Sequence, residues 1–390
     1  MEAVILAAGK GVRLSPLTDE IPKPMLPLRD TTIIGNILKV FKSSGIDKIS
    51  IIVGHKSEIL EDYIKKGNFG IHITFIEQKE QLGTGHALMI ASEHVNSDFI
   101  CVYGDLIFKE NFIESMISNF NSSDSIALMA LTESNTPELF GSVVVDCDEV
   151  VRIFEKSDKP PSNLINTGIY CFRKEALSFI NKTKLSPRGE YELTDSLRMM
   201  IEDGKKVRWM RLGGKWIDIG RPWDLIDANI YLLESLEHYL SDDADISDDS
   251  KLAYPVRIDS GSVITSSVIT KPSSISKNVI IEANSLITSS VIRENVKIGK
   301  NCTIENSVIM EGVKIGDNSV VSFSIIGENS SIGKNVIFES KSEQPIKIEL
   351  KGEFVESGRA QLGAVVGKNA KINDNTTVKP GQKISPGMSI

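Results

Sequence analysis

Residues 6–26 read LAAGKGVRLSPLTDEIPKPML. The apolar run Val4 to Ala7 leads into them and predicts a buried β-strand close to the N-terminus. Gly9 and Gly11 follow at once, then Arg13, then Pro22-Lys23-Pro24. Glycines after a strand let the backbone approach a phosphate, and the free N–H groups there bind oxyanions. Arg13 can fork onto phosphate oxygens and Lys23 can add a point charge, with prolines fixing φ around it. An ordinary Gly-rich turn with solvated basic residues would explain a bare G-x-G. It does not explain the full string at the end of a first strand. Neither a dinucleotide fingerprint nor a P-loop fits, because position 14 is Leu14 and no Gly-Lys-Ser/Thr follows.

Outward from this stretch, residues 1–235 alternate strand-like and helix-like segments. Lys48–Val53, Ile71–Ile76 and Phe99–Tyr103 read as strands, while Ile33–Phe41, Ile59–Ile64, His86–Ala91 and Asn111–Phe120 read as helices. The alternation predicts an α/β domain with a largely parallel sheet, whose ligands bind outside the carboxyl ends of its strands. Residues 236–256 hold Asp242, Asp243, Asp245, Asp248 and Asp249 among serines, and predict a solvated acidic linker.

From 257 to 390 the helix signal vanishes. Ile292, Ile298 and Ile304 are six apart, as are Ile309, Ile315 and Val321, then Ile326, Ile332 and Phe338. Ser-Val-Ile-like phrases open the triplets at Ser290, Ser307 and Ser324. Glycines and asparagines between them supply turn conformations. The period breaks between Glu339 and Gln361 and resumes with Val366, Ile372, Val378, Ile384 and Ile390. A six-residue step with one inward aliphatic predicts a parallel β-helix with three short strands per coil.

Composition sets bounds rather than a function. Hydrophobic residues make 41% and charged residues 25% of the 390, ordinary for a globular protein of two domains. A net charge of −8 argues against nonspecific nucleic-acid binding. The four cysteines, Cys101, Cys147, Cys171 and Cys302, show no C-x-x-C pairing, and three of the four sit in apolar, strand-like surroundings, so buried thiols are expected. No basic leader precedes the first strand and no apolar run is long enough to span a bilayer, so no membrane contact and a cytoplasmic location are expected.

Three further constellations carry chemistry. Gln81-Leu82-Gly83-Thr84-Gly85-His86-Ala87 is a tight turn in which Thr84 could cap the next helix and Gln81 offers an amide for a base edge. Tyr103-Gly104-Asp105 puts a carboxylate at a strand's carboxyl end, suited to Mg²⁺, and Trp216-Ile217-Asp218 supplies a second. Phe140-Gly141, Phe154-Glu155-Lys156 and Asn166-Thr167-Gly168 bracket strands farther on.

Residues 6–26 resemble, almost residue for residue, the signature of the sugar-1-phosphate nucleotidylyltransferases, the NDP-sugar pyrophosphorylases. The turn at 81–87 resembles the uracil-binding turn of bacterial N-acetylglucosamine-1-phosphate uridylyltransferases, and the repeats resemble the left-handed hexapeptide β-helix that often follows this catalytic domain. The resemblance implies a Rossmann-like nucleotidyltransferase domain (α/β, 1–235), the linker, and a left-handed parallel β-helix at 257–390. It implies a catalytic role for Arg13 and Lys23. It implies nucleotide binding by Leu6, Ala8, Gly9, Gly11, Gln81, Gly83, Thr84, Tyr103 and Gly104, and sugar binding by Gly141, Glu155, Lys156 and Asn166. Asp105 and Asp218 are implied as ligands of Mg²⁺. The expected substrates are an NTP (UTP or dTTP) and a hexose-1-phosphate (N-acetylglucosamine-1-phosphate or glucose-1-phosphate), with mannose-1-phosphate and GTP as the alternative. Most similar is the bifunctional type that also acetylates glucosamine-1-phosphate with acetyl-CoA. That activity uses a β-helix histidine as base, and this chain has none after His238, so acetyl transfer is expected to be lost. Related β-helices assemble as trimers, so a homotrimer or a dimer of trimers is expected, with the catalytic domain able to act without the β-helix.

Overall fold

The computed structural model describes residues 1–109 and 111–390. They pack as two compact units: residues 1–10, 22–24 and 33–218 form the first, and residues 11–21, 25–32 and 219–390 the second.

Among the described residues, nine strands form the central sheet of the first unit: β1 (Glu2–Leu6), β2 (Lys48–Val53), β3 (His72–Glu77), β4 (Phe99–Tyr103), β5 (Ala127–Glu133), β6 (Gly141–Asp146), β7 (Glu149–Glu155), β8 (Leu164–Phe172) and β9 (Val207–Arg211). Their order is β3-β2-β1-β4-β8-β5-β9-β7-β6. The first four strands are mutually parallel, as the alternating pattern requires. β8 then runs antiparallel between β4 and β5, and β6 and β7 form a hairpin through Cys147, which takes φ 51°. The sheet is therefore mixed rather than largely parallel. The difference arises after residue 126, where connections without an α-helix join β5, β6, β7 and β8, and only β8 and β9 are bridged by α-helices, Leu177–Ile180 and Leu193–Glu202. Helices Ile33–Ser43, Ser57–Lys66, Thr84–Ala91 and Phe112–Asn121 fall where the 3.6-residue pattern puts them. Val4, Ile5, Phe99, Tyr170 and Phe172 are wholly buried in the core.

The second unit is a parallel β-helix. Its strands, among the described residues, stack into three sheets of eight, seven and seven. The aliphatics of the six-residue step point inward: Ile292, Ile304, Ile309, Val321 and Ile326 are all 0% exposed. Serines opening each coil stack as well, with Ser324 N–H donating to Ser307 Oγ at 3.1 Å and Ser307 N–H to Ser290 Oγ at 3.1 Å. Asparagines hold the corners in the left-handed region, where their short amide is tolerated. Asn301 donates to Asn318 and Asn318 to Asn335, both at 3.0 Å, so the corners form a ladder.

The acidic segment 236–256 is not a linker. Tyr239–Leu240, Asp245–Ile246 and Lys251–Leu252 pair in parallel with Arg257–Ile258, Val263–Ile264 and Val268–Ile269, making it the first coil. Leu240, Ile246 and Leu252 keep the six-residue step and pack on the aliphatic core. All five aspartates that hid this step are exposed, four of them (Asp242, Asp243, Asp248 and Asp249) at turns and Asp245 on the outer side of its strand. The two compact units part after Asp218, ahead of the boundary expected at 235. Helix Pro222–Glu234 belongs with the β-helix, through Asn229, whose Nδ2 donates to Pro27 O and whose Oδ1 accepts from Arg29 N–H. The Arg293 guanidinium of the β-helix in turn donates to Arg29 O at 2.8 Å and Thr31 O at 3.2 Å.

Two substitutions separate coil from linker. Ile246→Asp would press a carboxylate against the aliphatic core and should lower the thermal midpoint clearly. Asp248→Ala, on an exposed turn, should change stability by no more than about 0.5 kcal/mol. Equal and negligible effects in thermal unfolding would restore the linker reading.

Candidate active site

The site of the first unit is set by the parallel register of β1 and β4, which places Leu6 beside Tyr103. Gly104 N–H donates to Leu6 O at 2.9 Å, and Ala7 N–H donates to Ile52 O at 2.9 Å. The chain therefore leaves two neighbouring strands at one edge. A Cβ on Gly104 would stand 3.0 Å from both Leu6 O and Ala7 Cβ, so only glycine fits that crossing without displacement. A cavity of about 280 Å³ opens there. Its walls are Leu6 to Gly9, Lys23 and Pro24, the turn residues Gln78, Gln81, Gly83, Thr84 and Ala87, then Tyr103 to Asp105, and Glu190.

Lys23 is the charged centre of this cavity. Its side chain is 11% exposed, its ammonium is hydrogen-bonded to Asp105 Oδ2, and Asp218 Oδ1 lies 3.9 Å from it. The two aspartates, more than a hundred positions apart, meet because Ile217–Asp218 pairs antiparallel with Leu106–Ile107, putting Asp218 opposite Leu106. Asp105 Oδ1 is buried and accepts no hydrogen bond among the described residues. A hard cation seeks such an oxygen, and two carboxylates converging on one ammonium form a donor set that fits a divalent ion.

The turn at 81–87 is fastened from behind. Gly85 N–H donates to Tyr191 O at 2.7 Å, and Tyr191 N–H to Leu82 O at 2.8 Å. Gly83, at φ 108°, and Gly85 leave no room for a Cβ, which would meet Tyr191 O at 2.6 and 2.8 Å. Thr84 does not cap its own helix; its hydroxyl accepts from Leu193 N–H at 3.2 Å and so secures the start of helix Leu193–Glu202. Gln78, which the sequence reading passed over, is 3% exposed. Its Nε2 donates to Gly83 O and lies 3.0 Å from His86 Nδ1, while its main-chain carbonyl accepts from Gln81 Nε2. Its position three residues before Gln81, in the same turn, was the available signal.

Glu155, Asn166 and Gly141 come together. A Cβ on Gly141 would stand 2.9 Å from Glu155 Oε2 and 3.5 Å from Asn166 Cβ. Thr194 Oγ1 donates to Glu155 Oε2 at 3.1 Å, and Arg188 lies 3.6 Å from Glu155 Oε1 and 3.2 Å from Glu192. Burial, then the neighbouring Glu155 charge, pushes the Glu192 carboxyl up from its ordinary value. Asn166 Nδ2 donates to Tyr170 OH at 2.5 Å, and Tyr170 OH lies 3.2 Å from Tyr103 OH. Burial raises both phenols, so this chain from the cavity wall to Asn166 keeps its protons. Lys156 takes φ 44° and its N–H donates to Phe140 O at 3.0 Å. Gly11 and Arg13 belong to the second unit, where a Cβ on Gly220 would stand 2.8 Å from an Arg13 guanidinium nitrogen. The partners of Glu155 lie on a different element, so nothing in the spacing of 154–156 announced them; Thr194 falls in the phrase 189–195, which reads as a helix start near the site.

A family model described as Nucleotidyl transferase matches residues 2–235, and one described as GMPPB C-terminal domain matches residues 288–390. The bifunctional protein GlmU of Methanocaldococcus jannaschii is 41% identical over 237 residues, 60% of this chain. This chain spans 55% of that relative's length and 56% of the GlmU of Methanococcus aeolicus. A bifunctional sugar-1-phosphate nucleotidylyltransferase/acetyltransferase of Sulfurisphaera tokodaii is 34% identical over 391 residues, covering 98% of this chain and 94% of its own. A Bacillus anthracis structure assigned as a glucose-1-phosphate thymidylyltransferase, in complex with sucrose, superposes with a TM-score of 0.56 at 29% identity. It covers 62% of this chain and 98% of its own. The chain is thus a member of the nucleotidyl transferase family.

The raised Glu192 gives a pH prediction. The folded state binds its proton more tightly than the unfolded chain, so stability falls as pH rises from the unfolded value near 4.5 through the folded one. Glu192→Gln should melt higher than the parent at pH 8, and the gap should close as pH falls below about 4.5. A gap independent of pH in thermal scans would contradict the assignment.

Proposed function

We propose that the protein transfers a nucleotidyl group from an NTP to a hexose-1-phosphate, releasing pyrophosphate. The observation that carries this reading is the convergence of Lys23, Asp105 and Asp218 at a glycine-lined strand edge. An oxygen of the sugar 1-phosphate attacks the α-phosphorus, the bond to the bridging oxygen breaks, and pyrophosphate leaves with that electron pair. No nucleophilic side chain is required. Lys23 and Arg13 neutralise phosphate charge that grows in the transition state, while Gly9 and Gly11 offer backbone N–H groups. Asp105 and Asp218 would hold Mg²⁺, which supplies charge neutralisation on the triphosphate when bound. Gln81, Gly83, Thr84, Tyr103 and Gly104, with Leu6 and Ala8, form the nucleotide wall. Gly141, Glu155, Lys156 and Asn166 receive the sugar phosphate. The amide-rich turn favours UTP or dTTP, and N-acetylglucosamine-1-phosphate or glucose-1-phosphate is the acceptor. The Asp218 motif also resembles that of relatives using mannose-1-phosphate with GTP, which stays as the second choice. Among the described residues no helix is long and apolar enough to cross a membrane.

Lys23→Ala should lower kcat/KM by about 10²–10³, the usual cost of losing one charge-assisted donor to a transition state. Asp105→Ala and Asp218→Ala should abolish most Mg²⁺-dependent pyrophosphate release while the far-UV spectrum stays native. Near-parental turnover in either aspartate variant would break the pairing.

The full-length similarity to a nucleotidylyltransferase/acetyltransferase raises a second reading, acetyl transfer to glucosamine-1-phosphate. The attacking amine must lose a proton, and a base near neutral pKa is usually histidine. The β-helix beyond His238 has none, and Asp317, its carboxyl held low by Lys334, is a poor substitute. We expect homogeneous protein, sized by light scattering as a trimer or a dimer of trimers, to release no free CoA from acetyl-CoA and glucosamine-1-phosphate. Sustained release would establish the second activity.

A further inference from the structure

The six-residue step of the β-helix is interrupted by residues 339–361, across which the stacking interval lengthens from 17 to 40. The coils close over the interruption without a fault, since Ile325 pairs with Val365 and Ala364 N–H donates to Ser324 Oγ at 3.0 Å. Within the interruption Glu339 N–H still donates to Val378 O of the next coil at 3.0 Å, and the chain then leaves the stack. The extra residues build an antiparallel hairpin, Lys347–Leu350 with Glu353–Glu356.

The hairpin is asymmetric. Ile348 on its inner strand is 0% exposed, whereas Phe354 on its outer strand is 74% exposed. What the inner strand packs against is the Val12–Leu14 turn, the segment that carries Arg13. A second tie runs through the next coil. Lys383 Nζ donates to Glu349 O at 2.9 Å. Asp19, at the far end of the same loop, faces the Lys383 charge, and burial lowers the Lys383 pKa from its ordinary value. The hairpin base is seated on the coil, where a Cβ on Gly381 would collide with Lys347 O at 2.3 Å. Loop 11–21, the inner hairpin strand and Lys383 thus form one packed cluster within the second unit.

We propose that this hairpin is a strut for nucleotidyl transfer: it holds loop 11–21, and through it Arg13, in the conformation the reaction uses. The inference rests on the phosphate-binding role proposed for Arg13. The hairpin residues are positioning residues, since none of them is assigned a contact with substrate.

The test uses the full chain. Ser357 N–H donates to Ile346 O at 2.8 Å, so Lys347–Glu356 can be replaced by Asn-Gly, closing an ordinary two-residue turn. That variant keeps the ion pair of Arg359 with Asp227, which lies outside the excised span. A displaced catalytic group costs up to about 100-fold, so kcat for pyrophosphate release should fall about 10-fold to 100-fold, with KM for the sugar phosphate unchanged. Lys383→Met, a point change that leaves the hairpin in place, should lower kcat several-fold. In an Arg13→Ala background neither change should cost anything further, because both act through Arg13. Parental kcat in both strut variants, beside a crippled Arg13→Ala protein, overturns the strut alone. Additive losses in the double variants also overturn it. An Arg13→Ala protein with parental kcat instead refutes the role of Arg13 on which the strut depends.

Discussion

Gly104 N–H donates to Leu6 O across the carboxyl ends of two adjacent parallel strands, and the first unit is arranged around that bond. It brings the turn after β1 and the turn after β4 to one edge. Apolar runs buried on both faces fix the register, because a one-residue slip would turn the buried side chains the wrong way. With register fixed, Ala7 to Gly9 line the cavity from one strand and Tyr103 to Asp105 from the next. Lys23 then binds Asp105 and approaches Asp218, so three residues far apart in sequence form one charged centre. A lone buried carboxylate would be expensive there, and the pairing offsets that cost while leaving one Asp105 oxygen for a ligand.

The second unit obeys a different constraint. Each coil must repeat its inward aliphatic every six residues, and corners must adopt φ > 0 without a large side chain. Serine and asparagine ladders satisfy buried and corner polar groups coil after coil. Stability in such a stack is close to a sum over neighbours, so an inserted hairpin is tolerated provided the coils on either side still pair. That tolerance lets the chain carry the 347–356 hairpin to the loop bearing Arg13 without weakening its own core.

Much of this was legible in the sequence because it follows from local periodicity. The strands Lys48–Val53 and Phe99–Tyr103 lie where their apolar runs begin and end. The hexads of 292–338 map one by one onto stacked strands. Where charge masks periodicity the reading failed. Leu240, Ile246 and Leu252 keep the six-residue step, yet five aspartates around them suggested a linker. The antiparallel half of the sheet was missed because hairpins leave a weaker pattern than helical crossovers. Motif spacing singled out Lys23, Asp105 and Asp218, which the structure brings together, but not what fixes their neighbours. Thr194 and Arg188 on Glu155 act through long-range contacts that no local window contains, whereas Gln78 lies five positions before Gly83, in the same turn, and was passed over. Likewise, nothing in the loop 6–26 announced that Gly11 to Ile21 would pack with the β-helix.

The central claim is that the Lys23–Asp105–Asp218 centre serves condensation of an NTP with a sugar-1-phosphate. The most direct measurement is steady-state pyrophosphate release by the full chain with Mg²⁺, over a matrix of UTP, dTTP, GTP, CTP and ATP against N-acetylglucosamine-, glucose- and mannose-1-phosphate. The account predicts release that requires both substrates and is highest for UTP or dTTP with N-acetylglucosamine-1-phosphate or glucose-1-phosphate. Release from no pair in the matrix, by protein shown to be folded, would contradict it.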